Sequence, residues 1–201
     1  MNRAIVGATL TVLAFSLPAV AVTTNKFMVK GQTAYADFYQ QNDECTYSSV
    51  GIFASDNVSK SGPGAPTPQK GANVYYSTYN WCTGEGSYSD GFASDVTFTS
   101  DNGLKSATLN GTVTLTDYSS GATKTVNVAL TWTGTGDTYR GNSHSRYQGP
   151  GFASSYRYNG SYRDAQVSGS VTMDGKNLIS NLSSYASLSS SNSGSVEIIR
   201  K

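Results

Sequence analysis

Charge is scarce in this chain. Only 13% of its 201 residues are Asp, Glu, Lys or Arg, and the formal net charge is +1. Without Arg3, which belongs to the leader read below, thirteen cationic residues stand against thirteen acidic ones. That balance argues against a nucleic-acid partner, which would call for a basic excess, and against an anionic membrane surface. Histidine occurs once, as His144, and cysteine twice, as Cys45 and Cys82. Two cysteines and one distant histidine lack metal-ligand spacing, so no metal and no cofactor is expected. There is no GxSxG elbow. Beyond residue 21 no helical period of useful length appears, and no run is apolar enough to span a membrane.

The start of the chain is the exception. Met1-Asn2-Arg3 precedes an apolar run, Ala4 to Val22, that is broken by Pro18 and carries Ala19-Val20-Ala21. Its core is short for a membrane span, and the small residues fit a cleavage site. The expectation is a signal peptide over 1–21 and one exported domain over 22–201, hence a secreted or extracytoplasmic protein with no later membrane span. In an exported chain Cys45 and Cys82 are expected to pair. Such a bridge stabilises by about 4 kcal/mol on the chain-entropy account.

What the chain has in abundance is Gly, Ser, Thr, Asn and Tyr. The stretch Lys105 to Thr133 shows how they are arranged: Ala107, Leu109, Val113 and Leu115 alternate with Thr and Asn, as do Val126, Val128, Leu130 and Trp132. That is the period of half-buried strands. A turn over Ser119–Ala122 predicts Leu115 opposite Val126, Val113 opposite Val128, Gly111 opposite Leu130 and Leu109 opposite Trp132. Asn102-Gly103 predicts a further hairpin, with Phe98 opposite Ala107 and Val96 opposite Leu109. All the large apolar residues then fall on one face.

Elsewhere, Val22–Lys30 reads as a loosely held lead-in. Gln32–Gln40, Cys45–Ala54 and Asn73–Cys82 read as strands, and proline-rich Ser55–Gly71 as a long surface loop. Asn159-Gly160 predicts a hairpin between Phe152–Tyr158 and Ser161–Val171. Its register sets Arg157 opposite Tyr162 and Tyr156 opposite Arg163. Phe152, Ser154, Ala165, Val167 and Val171 would share the buried face, with Arg157, Tyr162 and Asp164 on the other. The fold expected is all-β, an antiparallel β-sandwich with a β-barrel as runner-up.

The pieces LTWTGTGD, SHSRY, GPGF, NGSYRDAQVSGSV and SGSVEI together resemble a group of small exported bacterial proteins of similar length and all-β character. The resemblance implies a bacterial exported protein and supplies no activity, so no residue role is carried over from it.

The most uneven feature is an Arg/Tyr cluster, from which the candidate ligand-binding residues are His144, Arg146, Tyr147, Tyr156, Arg157, Tyr162 and Arg163. Arginine forks grip carboxylate or phosphate, and tyrosine adds flat surface and a hydroxyl. Asp164 is expected to lie near enough to neutralise Arg157. Tyr75, Tyr79 and Trp81 form a second, aromatic candidate platform for sugars, with core packing the favoured role for Trp81. Catalysis is less well supported. Ser143 and Ser145 sit on the opposite strand face from His144, so a triad would need a serine from elsewhere. Asp90, Asp95 and Asp101 are weak candidates for a carboxylate pair, and Asp56-Asn57 and Asp101-Asn102 match no ordered calcium loop. The expected function is a non-enzymatic exported binding module for carbohydrate or another anionic envelope polymer. A structural envelope protein is the alternative, and a hydrolase comes third.

Overall fold

The computed structural model of the chain describes residues 22–179 and 183–200, so the expected signal peptide lies outside the described residues. Eleven strands follow one another: β1 (Val22–Gln41), β2 (Thr46–Ser61), β3 (Thr67–Asn80), β4 (Glu85–Ala93), β5 (Thr97–Ser100), β6 (Ser106–Asp117), β7 (Thr123–Gly134), β8 (Tyr139–Gly149), β9 (Phe152–Met173), β10 (Lys176–Asn177) and β11 (Ser183–Arg200). No helix occurs among the described residues. The expected all-β antiparallel architecture is therefore what the chain adopts.

All the strands belong to one sheet. Its order runs β9–β11–β1–β2–β3–β4–β6, and β7 then bridges β6 back to β9. The hydrogen bonding thus closes into a ring, the runner-up barrel rather than two separate sheets. β4 and β5 share one place beside β6, β4 at Asp117 and Thr116, β5 from Asn110 to Ala107. The ring is closed over only part of its height. β9 pairs with β7 from Ala165 to Met173 but with β8 from Phe152 to Tyr162. β8 has no further neighbour, and the first part of β3, up to Gly71, pairs only with β2. Beyond the closed section, β8, β9, β11, β1, β2 and β3 therefore continue as an open, curved sheet.

Apolar side chains fill the ring. One wall, from β1, β2, β3 and β11, contributes small residues such as Ala34, Ala36, Ala54, Ala72 and Ala186, all buried. The facing wall contributes large ones, including Leu109, Val113 and Leu130, and Trp132 is 0% exposed. Large residues against small ones let the walls interdigitate at interior density. Trp132 reaches across, and its indole N–H donates to the Tyr35 carbonyl at 2.8 Å. Leu104, 1% exposed, plugs one mouth from the β5–β6 loop and takes a positive φ of 54° to do so. The loop is held by Asp101, whose Oδ1 accepts from the Gly103 and Lys105 backbone N–H groups at 2.8 Å each. Threonine and asparagine point outward along β6 and β7 while apolar chains point in, the reverse of a barrel that faces lipid.

The faces of β6 and β7 are as expected, but their register is offset by two residues. Val113 lies opposite Val126, Leu109 opposite Leu130 and Ala107 opposite Trp132. The cause is Asp117. Its Oδ1 accepts from the N–H groups of Ser119 and Ser120 and from the Ser120 hydroxyl. The turn therefore closes between Asp117 and Ala122, with Gly121 at φ 70°. These bonds hold the Asp117 carboxyl below its ordinary pKa, the Ser120 hydroxyl most of all. Asp101 shifts the preceding hairpin in the same way, so Phe98 lies opposite Leu109 and Ser100 opposite Ala107.

Other expectations are corrected. Val22–Lys30 is no loose lead-in: it is paired to β11 throughout and to β2 as well from Phe27 onward. Most of the expected loop Ser55–Gly71 is the tip of the β2–β3 hairpin, turning around Gly62 and Pro63. Pro68 is tolerated because that part of β3 is a free edge and needs no second ladder of N–H donors. Asn159-Gly160 is not a turn but mid-strand in β9, paired to β8 on one side and β11 on the other. Two ladders of backbone bonds outweigh the local preference of an Asn-Gly pair for a tight turn.

The expected disulfide forms: Cys45 and Cys82 are bridged across the far end of the β2–β3 hairpin, with Cα atoms 5.4 Å apart. Trp81 beside it is exposed rather than core-packed, its indole N–H donating to the Glu44 carbonyl at 2.8 Å.

Two stability experiments follow from this core. Trp132→Ala should lower unfolding free energy by about 3–5 kcal/mol, measured by urea titration, and should leave only the red-shifted fluorescence of exposed Trp81. Reduction of the Cys45–Cys82 bridge should lower the urea midpoint by up to about 4 kcal/mol equivalent, with near-native spectra retained below the transition.

Candidate functional site

Strand parity decides where every candidate side chain points. On β1, Ala34 and Ala36 face the barrel interior, so Gln32, Lys30, Met28 and Lys26 continue that face outward. On β9, Val171, Val167 and Ala165 face inward, and Arg163, Ser161, Asn159 and Arg157 continue them. Cross-strand registers then assemble successive rows above the plugged mouth. The first is Arg140–Ser161–Ser190–Gln32–Asp56–Lys70. The second is Asn142–Asn159–Asn192–Lys30–Val58. The third is His144–Arg157–Gly194–Met28–Lys60, and Arg146–Ser155–Val196–Lys26 lies beyond it.

The first two rows, with Met28 from the third, line a trough of about 820 Å³ that runs from β8 across to β2, and the outer rows continue the same face beyond it. Its end wall is the loop that plugs the barrel. Gln32 donates from Nε2 to the Asp101 carbonyl at 3.0 Å and to Asn102 Oδ1 at 3.3 Å, and Asn102 lines the trough. Arg163 sits at the mouth, where its Nε–H reaches the Thr135 carbonyl at 3.4 Å.

The charge on this face is one-sided. Arg140, Arg146 and Arg157 rise from β8 and β9, and Lys26, Lys30 and Lys60 from β1 and β2. The carboxylate among these rows is Asp56, engaged by Lys70 at 2.8 Å. Among the described residues Arg140, Arg146, Arg157 and Lys30 make no ion pair. A chain that is nearly neutral overall thus concentrates its cations on one concave surface, which focuses potential there.

The Arg/Tyr cluster is accordingly split in two. His144, Arg146, Arg157 and Arg163 lie on the trough's side of the sheet, around its rim, while Tyr147, Tyr156 and Tyr162 point to the opposite, outer face. The expectation that Arg157, Tyr162 and Asp164 share a face is overturned, since 157 and 162 differ in parity along one continuous strand. For the same reason Phe152 and Ser154 do not share the face of Val167 and Val171. Asp164 does not neutralise Arg157. It accepts from the Tyr162 hydroxyl at 2.7 Å on the outer surface, where Tyr162 also contacts the Tyr185 hydroxyl. Lys26, Lys30 and Lys60 lie in segments whose sequence reads as a lead-in and a loop. Extending the alternation of Ala34 and Ala36 backwards through Gln32, Lys30 and Lys26 was the signal that could have found them.

His144 Nε2 lies 3.2 Å from the Ser155 hydroxyl, so the fold does supply a serine from another strand. The residues flanking that pair, Arg146 and Arg157, are cationic. No carboxylate stands behind His144 among the described residues, nor does any cluster there suit a metal ion.

The outer face carries tyrosines, several of them bonded to its carboxylates. Tyr75 lies over Gly51, where a Cβ would meet its ring, and donates to Asp37 Oδ1 at 3.0 Å. A side chain at 51 would displace that ring, so the glycine makes room for the contact. Burial, and then the hydrogen bonds with Tyr35 and Asp37, push the Tyr75 phenol well above its ordinary pKa. Tyr39, Tyr47 and Tyr79 form a neighbouring ladder with ring centroids 5.3 and 5.7 Å apart. Tyr75 and Tyr79 share this face; Trp81 lies beyond the end of β3.

No family model matches the chain, and no curated protein does. Among solved structures, an acetoacetate decarboxylase-like enzyme from Sphingomonas wittichii RW1 is similar over 98% of this chain and 100% of that one, at 11% identity and a TM-score of 0.25. A likeness at that level carries no argument about activity.

The Tyr75 shift has a definite sign. A phenol whose folded pKa is raised contributes stability below its unfolded value, about 10, and loses it as pH rises further. Unfolding free energy should therefore fall above pH ~10, and Tyr75→Phe should flatten that fall. Urea titrations at increasing pH, with tyrosinate absorbance read in parallel, check it.

Proposed function

We propose that this protein is an extracytoplasmic binding module that holds an anionic ligand, an acidic carbohydrate or a comparable envelope polymer, in the trough. The leader read at 1–21 would export it, and the Cys45–Cys82 bridge suits an oxidising compartment. The observation that carries the proposal is the set of unpaired cations on one concave face. Nothing in folding requires Arg140, Arg146, Arg157 and Lys30 to gather there, and their mutual repulsion is unfavourable in an empty trough. A bound anion would turn that cost into attraction and charge-assisted hydrogen bonds. A nucleic acid is the poorer fit. Its bases would want aromatic platforms, and the tyrosines of β8 and β9 face away from the trough.

The test is a binding screen against glycans and anionic polymers, by calorimetry at low and moderate salt. Wild type should bind an acidic polymer, more weakly as salt rises. Arg146→Ala/Arg157→Ala should bind roughly 100-fold less tightly, since each charged hydrogen bond contributes about 1.5–3 kcal/mol. Tyr147→Ala, on the opposite face, should bind as wild type. Absence of binding by wild type would favour a structural envelope role.

A further inference from the structure

The second row of the trough is unlike the others. Asn142, Asn159 and Asn192 stand side by side on three adjacent strands, β8, β9 and β11, and Lys30 on β1 continues the row. All four line the trough. The three amides are exposed, and none has a hydrogen-bond partner among the described residues. Each offers two N–H donors and a carbonyl acceptor. Neighbouring strands are about 4.8 Å apart, close to the advance of one pyranose unit in an extended polysaccharide. One row to either side, about 7 Å along the strands, stand Arg140, which lines the trough, and Arg157 at its rim.

From this arrangement we infer that the ligand of the trough is a linear polyuronate, a polysaccharide with a carboxylate on its sugar units, lying across the strands along the asparagine row. This rests on the trough being the ligand site, as proposed above. Successive sugar hydroxyls meet Asn142, Asn159 and Asn192, one unit per strand. The carboxylates reach Arg140 and Arg157 on the flanks and Lys30 at the end. An amide pairs well with hydroxyls, which both donate and accept, and a row of three such groups selects a repeating hydroxylated chain. A polyphosphate carries comparable charge but no sugar hydroxyls to donate to the amide carbonyls, and would rely on the arginines and lysines.

The experiment compares short oligogalacturonates with a polyphosphate of matched charge and with the carboxyl-reduced oligosaccharide. Wild type should bind the uronate most tightly. Asn142→Ala/Asn159→Ala/Asn192→Ala should weaken uronate binding at least tenfold while changing polyphosphate binding less than twofold. Arg140→Ala/Arg157→Ala should weaken both. All five substituted positions are exposed, so unchanged thermal unfolding of each variant confirms that the fold is kept. Polyphosphate preferred by wild type, or equal losses for both ligands in the asparagine variant, would overturn the polyuronate while leaving a cationic anion site intact. Binding that neither variant alters would overturn the trough itself.

Discussion

A strand edge can hydrogen-bond to one neighbour at a time, and β9 uses this constraint to build two different objects from one chain. Along Ala165–Met173 its free edge takes β7 and the ring closes. Along Phe152–Tyr162 the same edge takes β8, which has no further neighbour, and the ring opens into a trough. The change of partner happens over the few residues around Arg163, without a bulge that would disturb the alternation. Inward-facing positions therefore run continuously from the apolar core into the cationic face. Core and candidate site are two sections of one surface, made greasy below by Val171 and Val167 and charged above by Arg163 and Arg157.

The barrel section is what makes the open section rigid enough to matter. Trp132 ties β7 to β1 across the interior through Tyr35, and the small residues of β1, β2 and β11 let the walls approach. Leu104 and Gln32 then seal the mouth from the two sides of the β5–β6 loop, giving the trough a fixed end. A curved sheet above a filled barrel can hold side chains in fixed rows, which a set of flexible loops would not do.

Much of this architecture is legible in the residue string. Alternation in Ala107–Leu115 and Val126–Trp132 identified the strands and their faces, because a period of two leaves no freedom about which side is buried. Registers were less legible. Asp101 and Asp117 choose where their turns close by taking backbone N–H groups onto their carboxylates, and a residue string does not say which acid will do so. The Asn-Gly pair at 159–160 misled for the opposite reason: a local turn preference gave way to two flanking ladders present only in the assembled sheet. A turn at 159–160 would have put Arg157 beside Tyr162; the continuous strand puts them on opposite faces. The concentration of arginine was visible in composition, but its separation from tyrosine, and the lysines and asparagines that complete the face, depended on the long pairing of β1, β9 and β11.

Unbroken parity along β9 also constrains how such a protein can change over generations. Substitution at 157, 159, 161 or 163 retunes the trough and leaves the outside alone, while substitution at 156, 158 or 162 does the reverse. Insertion or deletion of one residue anywhere between Arg157 and Val171 is different in kind. It would rotate tyrosine into the trough and arginine to the exterior, or turn the barrel lining outward. The two surfaces can therefore diversify independently through point changes, whereas the length of this strand is effectively frozen.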